Sequence, residues 1–65
     1  MRYEIKDRYG MSRGYIDDNG SIRTAYDRYG RMLGTYEPRT NTTKSRYGEI
    51  MAYGDILSAL IWTNS

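Results

Sequence analysis

Three copies of a short motif carry the most chemically suggestive side chains in this 65-residue chain. The sequence DRYG occupies residues 7–10 and 27–30, and SRYG occupies residues 45–48. Each copy places an arginine next to a tyrosine, and both side chains stack on nucleic-acid bases while the arginine neutralises phosphates. The candidate partner-binding residues are therefore Arg8, Tyr9, Arg28, Tyr29, Arg46 and Tyr47.

A second interpretation of the motif is structural. A short acceptor side chain at the first position and glycine at the fourth are typical of a type I turn that ends in a G1 bulge. The arginine and tyrosine are then only the exposed central residues of a tight turn. We favour the turn interpretation, which leaves a role for the two central side chains open.

Three acidic residues are candidates for a catalytic or metal-binding cluster. Asp7, Asp17 and Asp27 could act together if the fold brought them close, since neighbouring carboxylates raise one another's pKa. Each, however, is explained as the first residue of a turn, and the chain contains no Cys and no His. We therefore predict no enzymatic activity, no catalytic residue, no metal site and no cofactor.

The charge pattern favours an ordinary solvated surface. The net charge of +2 comes from ten Lys and Arg against eight Asp and Glu, interspersed along the whole chain. Dedicated nucleic-acid binders usually have a more one-sided charge. Binding to nucleic acid or another polyanion is therefore the alternative function, and a scaffold or protein-interaction module is the preferred one.

The spacing of the turns predicts the elements that hold these residues. Turn-like blocks begin at residues 7, 17, 27, 37 and 45, separated by segments of about six residues rich in Tyr, Ile and Thr. Strands of that length joined by tight loops form an antiparallel meander. The predicted strands span residues 2–6, 11–16, 21–26, 31–36, 42–44 and 49–53.

Counting from each turn glycine predicts which face of the sheet is buried. The uncharged face contains a central column of small residues flanked by larger ones, and strand glycines usually mark a close approach of other atoms. In the first strand the apolar residues Tyr3 and Ile5 have the opposite parity, which a bulge would explain. The small column is Gly14, Thr24, Gly34 and Ala52, and the flanking residues are Ser12, Ile22, Met32, Ile50, Ile16, Tyr26, Tyr36 and Gly54.

The C-terminal segment of residues 54–62 is apolar and is predicted to form a short helix capped by Asp55. A seventh strand is the competing prediction. The segment either completes the core of a monomer, which we favour, or forms a self-association surface. The residues concerned are Leu57, Leu60, Ile61 and Trp62.

The chain is predicted to be one domain of residues 1–65, with the meander in residues 1–53. It starts without the apolar stretch of a secretory signal, and its longest apolar run, ILSALIW, is far shorter than the roughly 20 residues that span a bilayer. These features predict a soluble cytoplasmic protein without membrane contact.

Residues 26–61, YDRYGRMLGTYEPRTNTTKSRYGEIMAYGDILSALI, resemble the C-terminal portion of small bacterial proteins of the five-fold beta-flower family. The resemblance implies an all-β domain with radially arranged hairpins in which each turn is a petal tip. The family has no established activity, so no site residue is implied. We therefore expect an all-β meander of about six strands and five tight turns, arranged like a flower, with a short helix packed on one end.

Overall fold

The computed structural model describes residues 1–63, in which six strands form one antiparallel sheet and a short helix follows. The strands pair in chain order, so the predicted all-β meander with a C-terminal helix is confirmed. Their bounds are β1 Arg2–Lys6, β2 Ser12–Asp18, β3 Arg23–Asp27, β4 Met32–Glu37, β5 Thr42–Ser45 and β6 Ile50–Tyr53, and the helix α1 spans Leu57–Thr63. Residues 64 and 65 of the predicted domain lie outside the described part.

The three RYG connections adopt the predicted turn. In the first, the N–H of Gly10 donates to the carbonyl of Asp7, and the N–H of Asp7 donates to the carbonyl of Met11, each over 3.0 Å. Gly10 has a φ of 79°, which glycine adopts without the steric cost that a Cβ brings. The same two bonds close the turns that begin at Asp27 and Ser45, so the type I turn with a G1 bulge is confirmed in all three.

The second connection differs from the prediction, which started a turn at Asp17. The strand continues to Asp18, and the backbone bond that closes the loop joins the N–H of Asn19 to the carbonyl of Ile22 over 3.3 Å. Only Gly20 and Ser21 lie between these residues, and Gly20 has a φ of 93°, a conformation that glycine adopts without steric cost. This connection is a two-residue loop without a G1 bulge.

The fourth connection also starts one residue later than predicted. The N–H of Asn41 donates to the carbonyl of Pro38 over 3.3 Å, so Pro38 is the first residue of this turn and not the second. Asn41 takes the place of a turn glycine, with a φ of 54°. Its side chain accepts a hydrogen bond of 2.7 Å from the hydroxyl of Tyr36.

The short second loop reverses the predicted faces of β3. Ala25 is fully buried and pairs with the buried Ile16, whereas Thr24 and Tyr26, which were predicted to face the core, lie on the opposite face. Side chains alternate between faces along a strand, so a change of one residue in a loop moves every side chain of the next strand to the other face. The prediction was wrong because it assumed the same loop at all connections.

Three residues next to the RYG turns were also predicted to face the core but do not. Register shifts in the first, third and fifth hairpins pair Ser12 with Lys6, Met32 with Tyr26 and Ile50 with Lys44, on the face opposite the helix. The shift in the first hairpin falls between Ile5 and Lys6, and β1 presents Tyr3 and Ile5 to the core face beside Ile16 and Gly14. The bulge predicted for the first strand lies instead in its partner β2, where the pairing passes over Arg13, and the same irregularity recurs in the other two hairpins.

The helix α1 packs on β2, β3 and β4 and completes the core. Leu57, Leu60 and Ile61 are buried, so the C-terminal segment fills the core of the single chain as we favoured. Asp55 caps the helix, since its Oδ1 accepts a hydrogen bond of 3.0 Å from the N–H of Leu57.

Two strand glycines admit the helix. A Cβ on Gly14 would lie 3.0 Å from the Cγ2 of Ile61, and a Cβ on Gly34 would lie 2.9 Å from the Cδ1 of Leu60. The close approach predicted from the column of small residues is thus confirmed at these two positions. The predicted single column is wrong: Ala25 lies opposite Ile16 and Gly34, whereas Gly14 lies opposite Asp27, so these small residues do not share one row across the sheet.

Candidate functional site

The meander brings the three RYG turns to one end of the sheet. Successive connections of an up-and-down sheet alternate between its two ends, so the first, third and fifth lie together. Neighbouring RYG turns are separated by two strand spacings, about 10 Å, and the three span roughly 20 Å. We call their six central residues the tip row: Arg8, Tyr9, Arg28, Tyr29, Arg46 and Tyr47.

The first residue of each turn is occupied by backbone hydrogen bonds. Asp27 Oδ1 accepts from the N–H of Tyr29 at 2.8 Å and from the N–H of Arg31 at 2.9 Å. Asp7 makes the equivalent two bonds, and the hydroxyl of Ser45 makes one. These side chains therefore hold the turns in shape, as the turn interpretation predicts.

The two turn aspartates are also paired with arginines of their own hairpins. Arg13 Nη2 lies 3.0 Å from Asp7 Oδ2, and Arg31 Nε lies 3.3 Å from Asp27 Oδ2. Partial burial raises the pKa of Asp7, but the N–H groups of Met11 and Tyr9 and the charge of Arg13 outweigh it and lower the pKa. Asp7 is thus ionised and neutralised locally.

Asp27 behaves in the same way. The N–H of Arg31 lowers its pKa, partial burial opposes this, and the N–H of Tyr29 and the charge of Arg31 complete a net shift below the ordinary value. Its charge is balanced by Arg31, so neither turn carboxylate is left to neutralise the arginines of the tip row.

Each tip arginine lies against the tyrosine that follows it. The guanidinium Cζ atoms are 5.2, 5.1 and 5.1 Å from the ring centroids of Tyr9, Tyr29 and Tyr47. These three tyrosine residues are 76%, 70% and 75% exposed. Within residues 1–63 the ion pairs use Lys6, Arg13, Arg23 and Arg31, so the tip arginines are left for an external anion.

Folding separates charges that are interspersed in the sequence. The half of the sheet next to the tip row carries seven Lys or Arg and three Asp or Glu, a net charge of +4, and the remainder carries three and five, a net charge of −2. The charged residues of the tip half are Lys6, Asp7, Arg8, Arg13, Asp27, Arg28, Arg31, Lys44, Arg46 and Glu49. The even pattern that argued against polyanion binding is therefore absent from the folded surface.

The opposite end of the molecule is organised around an arginine that joins the sheet to the helix. Arg23 contacts Asp18 at 3.2 Å and Asp55 at 2.7 Å, and its guanidinium lies over the ring of Tyr36. Asp17 lies at this end, far from Asp7 and Asp27, so the three aspartates do not converge. Residues 1–63 contain no cluster of three or more His, Cys, Asp or Glu side chains placed to hold a metal.

Sequence reasoning missed an aromatic stack on the face opposite the helix. The rings of Tyr15 and Tyr26 are stacked with centroids 4.8 Å apart, and the guanidinium of Arg2 lies 3.9 Å from the centroid of Tyr15. This cross-strand stack stabilises the sheet. It was missed because the wrong second turn placed Tyr26 on the core face.

The residues predicted for self-association are divided by the fold. Leu57, Leu60 and Ile61 are buried within the chain, and Trp62 is 47% exposed. Trp62 is therefore the member of this group that reaches the surface.

Comparison of the chain with protein-family models, curated proteins and solved structures finds no match. Within residues 1–63 the helix α1 has seven residues, too few for a helix to cross a membrane.

Proposed function

We propose that this chain is a small non-enzymatic interaction module that binds an anionic partner through the tip row. The observation that carries the proposal is the convergence of three exposed Arg–Tyr pairs, separated by about 20 residues in sequence, at one end of the sheet. The neighbouring aspartates support it, because their charges are used by the turns and by Arg13 and Arg31.

The proposal combines the two functions that the sequence suggested. An interaction module needs a rigid surface, and the turn hydrogen bonds fix the backbone of every tip. A polyanion binder needs a concentrated positive field, and the charge separation supplies a net +4 at that end. On the resemblance to the beta-flower family we further propose a bacterial cytoplasmic protein whose connections correspond to petal tips.

Heparin is a suitable first probe because it is a polyanion without a defined binding sequence. We expect the chain to bind heparin with an affinity that falls steeply as the salt concentration rises. The reason is that binding of the arginine side chains releases counterions condensed on the polyanion, and added salt opposes that release. Arg28→Gln should weaken binding at low salt. Arg39→Gln removes the same charge from an exposed position at the opposite end, so it should have a much smaller effect. Equal effects of the two variants would contradict a site at the tip row.

A second candidate function is favoured by the unequal edges of the sheet. The outer strand β6 is uncharged and exposes Ile50, Met51 and Tyr53, whereas the other edge, β1, carries Arg2, Glu4 and Lys6. Charged side chains on edge strands discourage pairing with other chains, and β6 lacks them. We propose that β6 pairs with a strand of a protein partner. The simplest such partner to test is a second copy of this chain.

Light scattering measures this pairing directly. The mass of the chain at high concentration should approach that of a dimer, and Met51→Lys should return it to the monomer. A monomer mass for the unchanged chain at about millimolar concentration would contradict self-pairing at β6.

A further inference from the structure

We infer that the anionic partner of the tip row is single-stranded nucleic acid, an inference that rests on the function proposed above. The tip row offers two kinds of contact at each tip. The arginines supply positive charge, and the tyrosine residues, each at least 70% exposed, supply flat aromatic faces. Bases stacked on aromatic side chains next to a positively charged groove are the usual basis of single-strand binding.

The rings separate this ligand from other polyanions. A site that recognised only negative charge would need no more than an arginine or lysine at each tip, but in each of the three turns a Tyr follows the Arg. The residue two places after the turn aspartate or serine is not fixed by the turn hydrogen bonds, which use the backbone of Tyr9, Tyr29 and Tyr47 and not their side chains. Each ring has its own arginine near its centroid, and Arg46 Nη2 donates to the hydroxyl of Tyr47 at 3.0 Å. The tyrosines are nevertheless at least 70% exposed, so ring surface is available for a ligand with flat faces.

The shape of the tip row favours a flexible strand over a duplex. Neighbouring strands of a sheet are rotated by about 20 to 25°, so adjacent tips, two strands apart, differ in direction by roughly 45°. A single strand can bend to follow three such tips and can turn its bases towards them. A duplex is stiff and keeps its bases stacked inside.

The length of the tip row sets the size of the site. A stacked single strand, the most compact case, has one phosphate about every 3.4 Å, so a row of roughly 20 Å spans at most about six nucleotides. Affinity should therefore rise with oligonucleotide length up to about six nucleotides and rise only slowly beyond it.

The test compares three labelled probes by fluorescence anisotropy at low salt. They are an oligothymidylate of about eight nucleotides, the same sugar–phosphate chain with abasic residues, and a duplex of equal length. We expect the oligothymidylate to bind at least about tenfold more tightly than either of the others, because stacking each base on an aromatic ring contributes measurably.

Substitution of the rings tests the same inference from the side of the protein. The combined variant Tyr9→Leu, Tyr29→Leu and Tyr47→Leu should bind the oligothymidylate and the abasic probe equally. Tyr53→Leu is the matched control, because Tyr53 is 78% exposed but lies at the opposite end of β6. It should retain the difference between the probes, and thermal melting checks that both variants are folded.

The outcomes distinguish the inference from the function on which it rests. Equal binding of abasic and base-containing probes, or tighter binding of the duplex, overturns single-strand recognition but leaves an anion-binding tip row. Binding of heparin that depends on Arg28, without binding of any oligonucleotide, has the same meaning. No binding of heparin or of any oligonucleotide at low salt overturns both.

Discussion

The side chain of Leu60 occupies the space that a side chain on Gly34 would need. Its Cδ1 lies 2.9 Å from the ideal Cβ position of Gly34, and the carbonyl oxygen of Lys44 lies 2.5 Å from the same point. The helix and the neighbouring strand β5 therefore both close on this glycine.

Gly34→Ala is expected to destabilise the fold by about 2 to 3 kcal/mol, as overpacking of a core does, because the carbonyl of Lys44 cannot move without disturbing β5. Denaturant unfolding followed by tryptophan fluorescence measures the change. Gly10→Ala is the control: its Cβ would meet open space, and only the φ of 79° opposes it, at a cost of about 1 to 2 kcal/mol. A Gly34→Ala variant as stable as the unchanged chain would show that the helix does not pack as described.

Ile61→Asp is expected to unfold the chain. Ile61 is fully buried, and an unpaired carboxylate at this position costs more than the roughly 3 to 10 kcal/mol that stabilise a domain of this size. Ser58→Asp places the same charge at an exposed position of the same helix and should leave the melting temperature nearly unchanged. A folded Ile61→Asp chain would contradict the assignment of α1 to the core.

The turn glycines make a separate prediction that depends on backbone conformation alone. Gly30 has a φ of 84°, so Gly30→Val should cost about 1 to 2 kcal/mol or more because β-branched residues resist this region. Gly30→Asn should cost less, as Asn41 already adopts a positive φ in this chain. Equal melting temperatures for the two variants would argue against the G1 bulge.

Thr43 links the sheet to the start of the helix. Its hydroxyl donates to the carbonyl of Gly54 at 2.6 Å and accepts from the N–H of Ile56 at 3.3 Å. Thr43→Val keeps the shape but leaves both backbone groups without this partner, at an expected cost of about 1 to 3 kcal/mol. Thr35→Val, on the opposite face of the sheet, should change the unfolding free energy by less than about 0.5 kcal/mol.

Acid should destabilise the fold through Asp7 and Asp27, the first residues of two turns, and through Asp18, the last residue of β2. The pKa values of Asp7, Asp18 and Asp27 are all lowered in the folded chain, so below the unfolded pKa of about 3.9 the unfolded state binds protons more readily. Their stabilisation is complete above that pH and is lost as the pH falls through the folded values.

Melting temperatures measured between neutral and strongly acidic pH should therefore decline mainly below about pH 4. The combined variant Asp7→Asn and Asp27→Asn should show a weaker decline, because it has already lost the charges paired with Arg13 and Arg31. A decline of unchanged size in this variant would assign acid sensitivity to other groups.

The elements of this fold could be predicted because the relevant interactions are local. The three RYG copies, each with an aspartate or serine three residues before the glycine, form the same turn, as the bonds at Gly10, Gly30 and Gly48 confirm. The helix was predictable for the same reason, since Asp55 caps it and apolar residues follow.

The faces of β3 could not be predicted, because they depend on the length of the loop between β2 and β3. Asp17 and Gly20 have the spacing of the other turns, but Asn19 accepts the N–H groups of both Ser21 and Ile22 and favours a shorter loop. Asp17 and Asn19 are alternative side-chain acceptors for this loop, and the spacing of residues in the sequence does not show which of them the backbone uses. As a result, Tyr26 was predicted to face the core, which Ala25 faces in the structure.

The candidate site was predictable residue by residue but not as a surface. Arg8, Arg28 and Arg46 are recognisable in the sequence, whereas their common position follows only from the alternation of connections in the sheet. The balance of charges along the chain was misleading for the same reason.

Because connections alternate between the two ends of the sheet, the number of binding tips depends on the number of hairpins in the chain. Each added pair of strands would extend the row by one tip, about 10 Å further along, without altering the tips already present. A lineage that duplicates or deletes a hairpin would therefore change the avidity of the module in steps and leave the chemistry of each contact as it was.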